Sequence, residues 1–488
     1  MLKARNQHSE VGAYHVIFLL LGPFCALTLV FIPTPIGLDP AGWATAAVAV
    51  WMAVWWASEA VPVAATALLP LVLLPLLGVQ DIHQTAAPFA HPLIFLFLGG
   101  FLLALAMQRW NLHRRIALHI VVLTGNRPAA LVGGIMLASA FLSMWVSNTA
   151  TAMMMMPIAA SLITITEVDQ PTGDDTAGFG VALMLGTAYA ASIGGLATLV
   201  GSPPNALIAA FMAQTYGTEI GFARWMLIGL PITMVMLPLT WFVLTRIMFR
   251  LPADLRVREG RAIAAALRDL GSMSHAEKRV AAVFVLVAFL WMVRPLLSDW
   301  MGLDTLSDSG IAIAGALLLF VLPAEGRKGA FLLDWPWAKR APWDILILFG
   351  GGLSLAQAVD QTGLAAWIGS TLEGLSDVPP MVVIAATACL IILLTELISN
   401  TATTAAFLPV LGAVALQADL QPVTLAVPAA LATSCAFMLP VATPPNAIVF
   451  GTGYVGIPDM LRVGIVLNVL GVIVITAMTQ LILPYVFA

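Results

Sequence analysis

Apolar residues gather along this chain into runs with polar breaks between them, near residues 14 to 33, 41 to 58, 62 to 78 and 88 to 108. As helices, such runs match the hydrocarbon of a bilayer, which takes roughly 20 apolar residues to cross. A short basic amphipathic piece, Asn111 to Ile120, follows. The next block, 128 to 166, is apolar except for a polar centre at Ser147-Asn148-Thr149, and 178 to 214 is interrupted at Ser202-Pro203-Pro204-Asn205. After a run at 222 to 249 and a charged segment from Pro252 to Arg279, the order restarts: 280 to 298, 309 to 323, 342 to 360, a block at 379 to 417 centred on Ser399-Asn400-Thr401, 424 to 454 interrupted at Thr443-Pro444-Pro445-Asn446, and 459 to 486.

The two halves repeat. Ser-Asn-Thr-Ala-Thr occurs at Ser147 to Thr151 and at Ser399 to Thr403, each followed by a proline, and 399 − 147 equals 409 − 157, or 252. The same offset pairs Phe97-Leu98-Gly99-Gly100 with Phe349-Gly350-Gly351-Gly352. The two Pro-Pro-Asn phrases are 241 apart (443 − 202), which implies a deletion of 11 residues (252 − 241) between hairpin and broken helix in the second copy. If the N-terminus is cytoplasmic and the two Ser-Asn-Thr blocks enter the membrane and return, 19 of the 21 Lys and Arg fall on the cytoplasmic side, all but Arg224 and Arg294. The positive-inside rule demands that asymmetry. Arg109, Arg114 and Arg115 follow the first glycine helix, whereas Asp360, Glu373 and Asp377 follow the second. The copies therefore face opposite sides, an inverted repeat with its site near the midplane.

Composition closes off other classes. With 60% hydrophobic and 9% charged residues over 488, and a mean hydropathy of +0.98, no soluble domain is in prospect. The run Val16 to Phe31 reads as a first membrane helix rather than a signal peptide, since no small-residue cleavage site ends it. Cys25, Cys389 and Cys435 lie in apolar segments without metal spacing, so they build neither a disulfide framework nor a zinc site. Met153 to Met156 read as hairpin packing, Glu59 as an interfacial anchor near Trp51 to Trp56, His91 as loop, and Glu396 as a hydrogen-bond partner of hairpin backbone. The stretch Pro252 to Arg279 reads as a surface helix near lipid head groups. A membrane-embedded enzyme needs a cluster of His, Asp, Cys or Glu at depth, and the sequence displays none.

Chemistry enters at the breaks. A helix that turns or stops inside a membrane leaves N–H and C=O groups unpaired at a cost of several kcal/mol each. Half-helix N-termini suit anions, while freed carbonyls and Ser, Thr or Asn oxygens suit a small hard cation. An Asn does both, its carbonyl facing the cation and its amide a carboxylate, so Asn148 and Asn400 lead the site.

Taken together, both Ser-Asn-Thr motifs, both Ser/Thr-Pro-Pro-Asn motifs and the C-terminal pattern Thr433-Ser434, Phe437, Pro440-Val441-Ala442, Asn446 and Val449 resemble the divalent anion/sodium symporter family over essentially the whole chain. The resemblance implies an all-α polytopic membrane protein, an inverted-repeat elevator-type transporter with about 11 transmembrane helices, two re-entrant hairpins and two broken helices, working as a homodimer. It places one sodium ion at Ser143, Ser147, Asn148 and the Gly201 backbone, and another at Thr395, Asn400 and the backbone near Ile398 and Ala442. It places the substrate carboxylates at Asn148, Thr149, Asn400 and Thr401, flanked by Ser202, Thr443 and Pro444. Ser202 stands where many relatives have Thr, and Ala197 where a hydroxyl is common. The implied domains are 1–120 (scaffold), 121–222 (first transport half), 223–375 (scaffold, with the segment 252–279) and 376–488 (second transport half). The expected activity is sodium-driven uptake of a C4-dicarboxylate or similar dianion across a bacterial inner membrane, with no enzymatic activity and no nucleic-acid partner. A sodium-independent exchanger or a sodium/sulfate symporter of the same fold is the alternative. Because no Lys or Arg lies in the expected pocket, Na⁺ is expected to bind before the dianion.

Overall fold

A computed structural model describes residues 13–487 apart from 126, 170–173, 252–266, 303–304, 326–328 and 372–376; most of the charged segment Pro252 to Arg279, and Glu373, lie outside the described residues. Among the described residues every regular element is helical. Helices α1 (Ala13–Phe31) and α2 (Pro40–Ser58) pack antiparallel, with the indoles of Trp43 and Trp55 donating to the carbonyls of Leu29 and Leu19 at 2.8 and 3.1 Å. The run at 62 to 78, expected as one helix, is two short ones, Val63–Thr66 and Leu69–Leu76. The chain turns at Ala67, whose carbonyl fills the space above Gly351, where any Cβ would overlap it. Pro70, in the first turn of the second helix, cannot bond back to Thr66, so the break falls where proline and tertiary packing agree.

The first repeat follows as α3 (Pro92–Arg109), the amphipathic α4 (Leu112–Leu123), α5 (Pro128–Ser143), α6 (Asn148–Asp169), α7 (Asp174–Gly195), α8 (Pro203–Tyr216) and α9 (Phe222–Phe242), whose last turn widens into a π turn at Val243–Met248. Helices α10 (His275–Met301) and α11 (Asp308–Val321) link the halves, and α10 starts on a Ser274–Glu277 capping box. The second repeat is α12 (Trp343–Gln361), α13 (Leu364–Ser370), α14 (Pro380–Thr395), α15 (Asn400–Gln417), α16 (Val423–Thr433), α17 (Pro444–Phe450) and α18 (Ile457–Val486). The offset of 252 holds at element boundaries, since 380 − 128, 395 − 143 and 400 − 148 all equal 252.

The halves meet reciprocally: α6 packs on α17 and α15 on α8, while α7 packs on α17 and α16 on α8. Exchange of partners in this way is what a two-fold relation produces. Phe97 and Phe349 (349 − 97 = 252) touch each other edge to face at 5.1 Å between ring centroids. Residues that are each other's counterparts and also in contact lie beside the pseudo-two-fold axis. Close approach around it is permitted by glycine, with Gly99 against Ala312 and Gly350 against Phe89.

Among the described residues six helices are long and apolar enough to cross a membrane, or seven if α12 and α13, bent by 66°, count as one span. The expected number of about 11, which leaves the hairpin limbs Pro128–Ser143 and Pro380–Thr395 aside, rests in part on helices shorter than that criterion, namely His15–Phe31, Val63–Leu76, Asp308–Val321 and Val423–Thr433.

Candidate functional site

The first polar phrase sits at a hairpin tip. Helix α5 ends at Ser143, the chain turns through Met144 to Ser147, and α6 starts at Asn148. Buried Ser143 Oγ donates to Asn148 Oδ1 at 2.6 Å. In the second tip Thr395 Oγ1 donates to Asn400 Oδ1 at 2.5 Å and lies 3.2 Å from the Thr433 carbonyl. A hydroxyl ending one limb and an asparagine starting the other therefore close both tips alike.

Asn148 is surrounded by oxygens. In one orientation its amide nitrogen faces the Ala191 carbonyl (3.2 Å), the Gly201 carbonyl (3.2 Å) and Ser143 Oγ (2.6 Å) and donates to them; in the other its own oxygen joins theirs. In that second orientation four oxygens meet with the Ser143 hydroxyl as their one donor, and once that hydroxyl turns away the set suits a small hard cation. Gly195 makes the approach possible, since a Cβ there would meet Asn148 Oδ1 at 2.5 Å and the Gly201 carbonyl at 3.0 Å.

Each repeat breaks a helix beside its tip. The sequence places the interruptions on Pro-Pro-Asn, whereas the structure places them one turn earlier, at 196–202 and 434–443, with both proline pairs opening the next helix. Proline is tolerated at the first helical positions, where its missing N–H has no partner to lose. The asparagine after each pair ties the break together. Asn205 Nδ2 donates to the carbonyls of Gly195 and Thr198 at 2.9 and 2.8 Å, and Asn446 Nδ2 to those of Ala436 and Leu439 at 3.1 and 3.0 Å. These are counterparts, since 436 − 195 and 439 − 198 equal 241. The side-chain oxygens of Asn205 and Asn446 are buried with no hydrogen-bond partner, as are the hydroxyls of Thr151 and Thr403.

A hydroxyl pair joins the two clusters. Ser202 Oγ and Ser434 Oγ are 3.1 Å apart, Ser202 following Gly201 of the first cluster and Ser434 following Thr433 of the second. The tips thus converge on one polar seam in the protein interior. Of the other expected residues, Ser147 Oγ accepts from the Ala150 amide at 3.4 Å and Thr443 accepts from the Asn446 amide at 3.3 Å, both capping their own helices. Thr149, Thr401 and Ile398 are half-buried, Ala442 is buried and Pro444 is exposed. Among the described residues no hydrogen bond draws these five side chains into either cluster. Nor does a Lys or Arg nitrogen bond any atom of the two clusters.

Glu396, next to Thr395, is 3% exposed and accepts from the amides of Phe437 (2.8 Å), Met438 (2.9 Å) and Leu439 (3.0 Å) and from Asn468 Nδ2 (2.7 Å). It does bind backbone, but that of the second broken helix rather than of the hairpin. The sequence assigns no role to Asn205, Asn446, Ser434 or Asn468, although the first two stand in the repeated Pro-Pro-Asn and Asn446 and Ser434 in the C-terminal pattern. The Ala191 carbonyl carries no sequence signal.

Paired hairpins and broken helices, related by a two-fold and closing on buried oxygens, define a membrane transporter built by internal duplication. The chain belongs to the sodium:sulfate symporter family, whose transmembrane region it matches over residues 14–486. It is 41% identical to the sodium-dependent dicarboxylate transporter SdcS of Staphylococcus saprophyticus across 99% of this chain and 93% of that one. It is equally similar to SdcS of Staphylococcus aureus, 41% across 97% of this chain and 92% of that one. Among solved structures it resembles the YdaH transporter of Alcanivorax borkumensis (TM-score 0.56, 14% identity, 80% of this chain and 86% of that one). It also resembles MtrF of Neisseria gonorrhoeae (TM-score 0.51, 11% identity, 95% and 93%). At those identities the two structures speak for the fold alone.

Proposed function

We propose that this protein is a secondary transporter that uses inward sodium flow to carry a C4-dicarboxylate or similar dianion, without enzymatic chemistry. One observation carries the reading: two repeat-related oxygen clusters, at Ser143–Asn148–Gly201 and Thr395–Asn400–Thr433, joined by the Ser202–Ser434 pair and bonded, among the described residues, by no basic side chain. The name of the staphylococcal relatives supports the choice of sodium and dicarboxylate.

Electrostatics orders the events. A dianion entering such a seam loses its hydration and finds no Lys or Arg bonded to it among the described residues, so the cost is several kcal/mol per charge unless cations are already there. Sodium binds first, at Ser143, Ser147, Asn148 and Gly201 and at Thr395, Ile398, Asn400 and Ala442. The carboxylates then meet Asn148, Thr149, Asn400 and Thr401, with Ser202, Thr443 and Pro444 beside them. Two domains divide the work: segments 121–222 and 376–488 form the moving part, and 1–120 with 223–375 the scaffold, in a homodimer that operates as an elevator. The N-terminus is cytoplasmic, the orientation that gathers the basic residues on one side.

The deciding experiment is succinate uptake into proteoliposomes under an inward Na⁺ gradient, against the same gradient of K⁺ and against sulfate as substrate. Uptake that requires Na⁺ and prefers succinate is expected. Succinate uptake that proceeds equally well in K⁺ would sink the cation-first mechanism, and sulfate preferred over succinate would sink the substrate assignment.

A further inference from the structure

Each repeat has a cavity between the helix that follows its glycine helix, α4 or α13, and the long second limb of its hairpin. In the first repeat it measures about 340 Å³ and is lined by α4 residues His113, Arg114 and Leu118 and α6 residues Met155, Ile158 and Ser161, among others. In the second it measures about 260 Å³ and is lined by Asp360, Ala365, Ala366, Gly369 and Ala413, among others. The cavities are twins: 365 − 113, 366 − 114 and 413 − 161 all equal 252. Yet one carries a cation where the other carries alanine and a nearby carboxylate.

The first cavity is amphiphilic. Its deep wall is apolar and buried at Leu118, Leu142, Met155 and Leu162, while Arg114, Pro157 and Ser161 are exposed on its rim. The neighbouring arginines are engaged, Arg109 with Asp334 at 2.7 Å and Arg115 with Glu277 at 2.9 Å. Arg114 has no hydrogen-bond or ion-pair partner among the described residues. His113 Nδ1 lies 3.0 Å from the Met107 carbonyl, to which a neutral ring donates. Burial lowers the His113 pKa against the Met107 bond, and the Arg114 charge lowers it further, so near neutral pH the ring is uncharged and Arg114 supplies the positive charge.

We propose that this cavity binds an anionic phospholipid of the surrounding bilayer, one acyl chain along Leu118, Met155 and Ile158 and the phosphate on Arg114. A guanidinium on the rim of an apolar slot answers a phosphate above a hydrocarbon chain, and the bilayer supplies that molecule at the depth of the amphipathic helix. The second cavity, with Ala366 and Asp360, disfavours the same headgroup, so the anionic lipid sits on one face of the protein only. The inference stands independently of the transported substrate.

The test is native mass spectrometry of the full-length protein titrated with palmitoyl-oleoyl phosphatidylglycerol, and separately with phosphatidylcholine. Wild type retains one phosphatidylglycerol in preference to phosphatidylcholine, and Arg114→Gln weakens that retention about fivefold, as expected for one arginine near a membrane surface. Met155→Trp, which fills the slot, lowers it as well, and Ala366→Arg raises it by creating a second site. Equal retention of both lipids, an Arg114→Gln protein that binds phosphatidylglycerol like wild type, or displacement of the lipid by millimolar inorganic phosphate would each overturn the proposal.

Discussion

The break in the first repeat and its counterpart in the second solve one backbone problem in opposite ways. At 196–202 the chain closes on itself: the amides of Leu196 and Ala197 return to the carbonyls of Ile193 and Gly194, both at 3.1 Å, and Thr198 Oγ1 takes the Gly201 amide at 3.0 Å. At 434–443 the corresponding amides reach across to Glu396 of the hairpin, steadied by Asn468 of α18. The surroundings differ accordingly. Val200 is 5% exposed and its counterpart Val441 is 77% exposed (441 − 200 = 241). A break that pairs its own backbone can be sealed in the interior, whereas one held open by a distant carboxylate keeps a face toward the surroundings. The second break therefore presents an exposed face where the first has none, while Ser202, Thr433 and Ser434 stay buried.

Labelling gives the largest contrast. In a background lacking Cys25, Cys389 and Cys435, Val441→Cys should react readily with a membrane-impermeant maleimide and Val200→Cys should not, read as mass added per protein. Comparable reactivity at both positions would erase the distinction between the breaks. Removal of the carboxylate comes next. Glu396→Ala takes the acceptor from the amides of Met438 and Leu439 and from Asn468 Nδ2, leaving Phe437 only the Asn468 Oδ1 contact at 3.3 Å, and at about 1–3 kcal/mol for each buried group left unpaired the melting temperature should fall steeply and uptake disappear. At the mirrored position Met144→Ala keeps the carbonyl that Thr198 uses, and a loss of about 1 kcal/mol is expected. Similar losses for the two would mean that the first break also leans on its hairpin side chain. The smallest effect separates Gly195 from its counterpart Ala436. Gly195→Ala pushes a methyl into Asn148 and should cost about 1–3 kcal/mol together with the Na⁺ dependence of uptake. Ala436→Gly should cost no more than about 1 kcal/mol.

Much of the architecture was legible because membrane helices advertise themselves by length and because duplication repeats every signal twice. Both hairpin tips, at Ser147–Thr149 and Ser399–Thr401, fall where the polar phrases put them. The proline pairs misled in a specific way. Pro203 and Pro444 read as interrupters, but each starts a helix, and the unwinding lies upstream among residues such as Leu196 and Phe437 that carry no breaking signal. The split at Ala67 had one local sign, Pro70 in the first turn of the second helix, but the placing of the turn against Gly351, almost three hundred positions away in sequence, was illegible. Backbone ligands left no trace either: Ala191 contributes a carbonyl that any residue would offer. Glu396 was visible as a buried charge, yet its partners depended on how far the second break unwinds.

The edge-to-face contact between Phe97 and Phe349 has a consequence for motion. Any swap of shape between the two halves carries each ring into the place of the other, so the pair is mapped onto itself while everything around it trades roles. It is the fixed point of the duplication, and unequal substitution there would favour one direction of opening over the other without touching a single ligand.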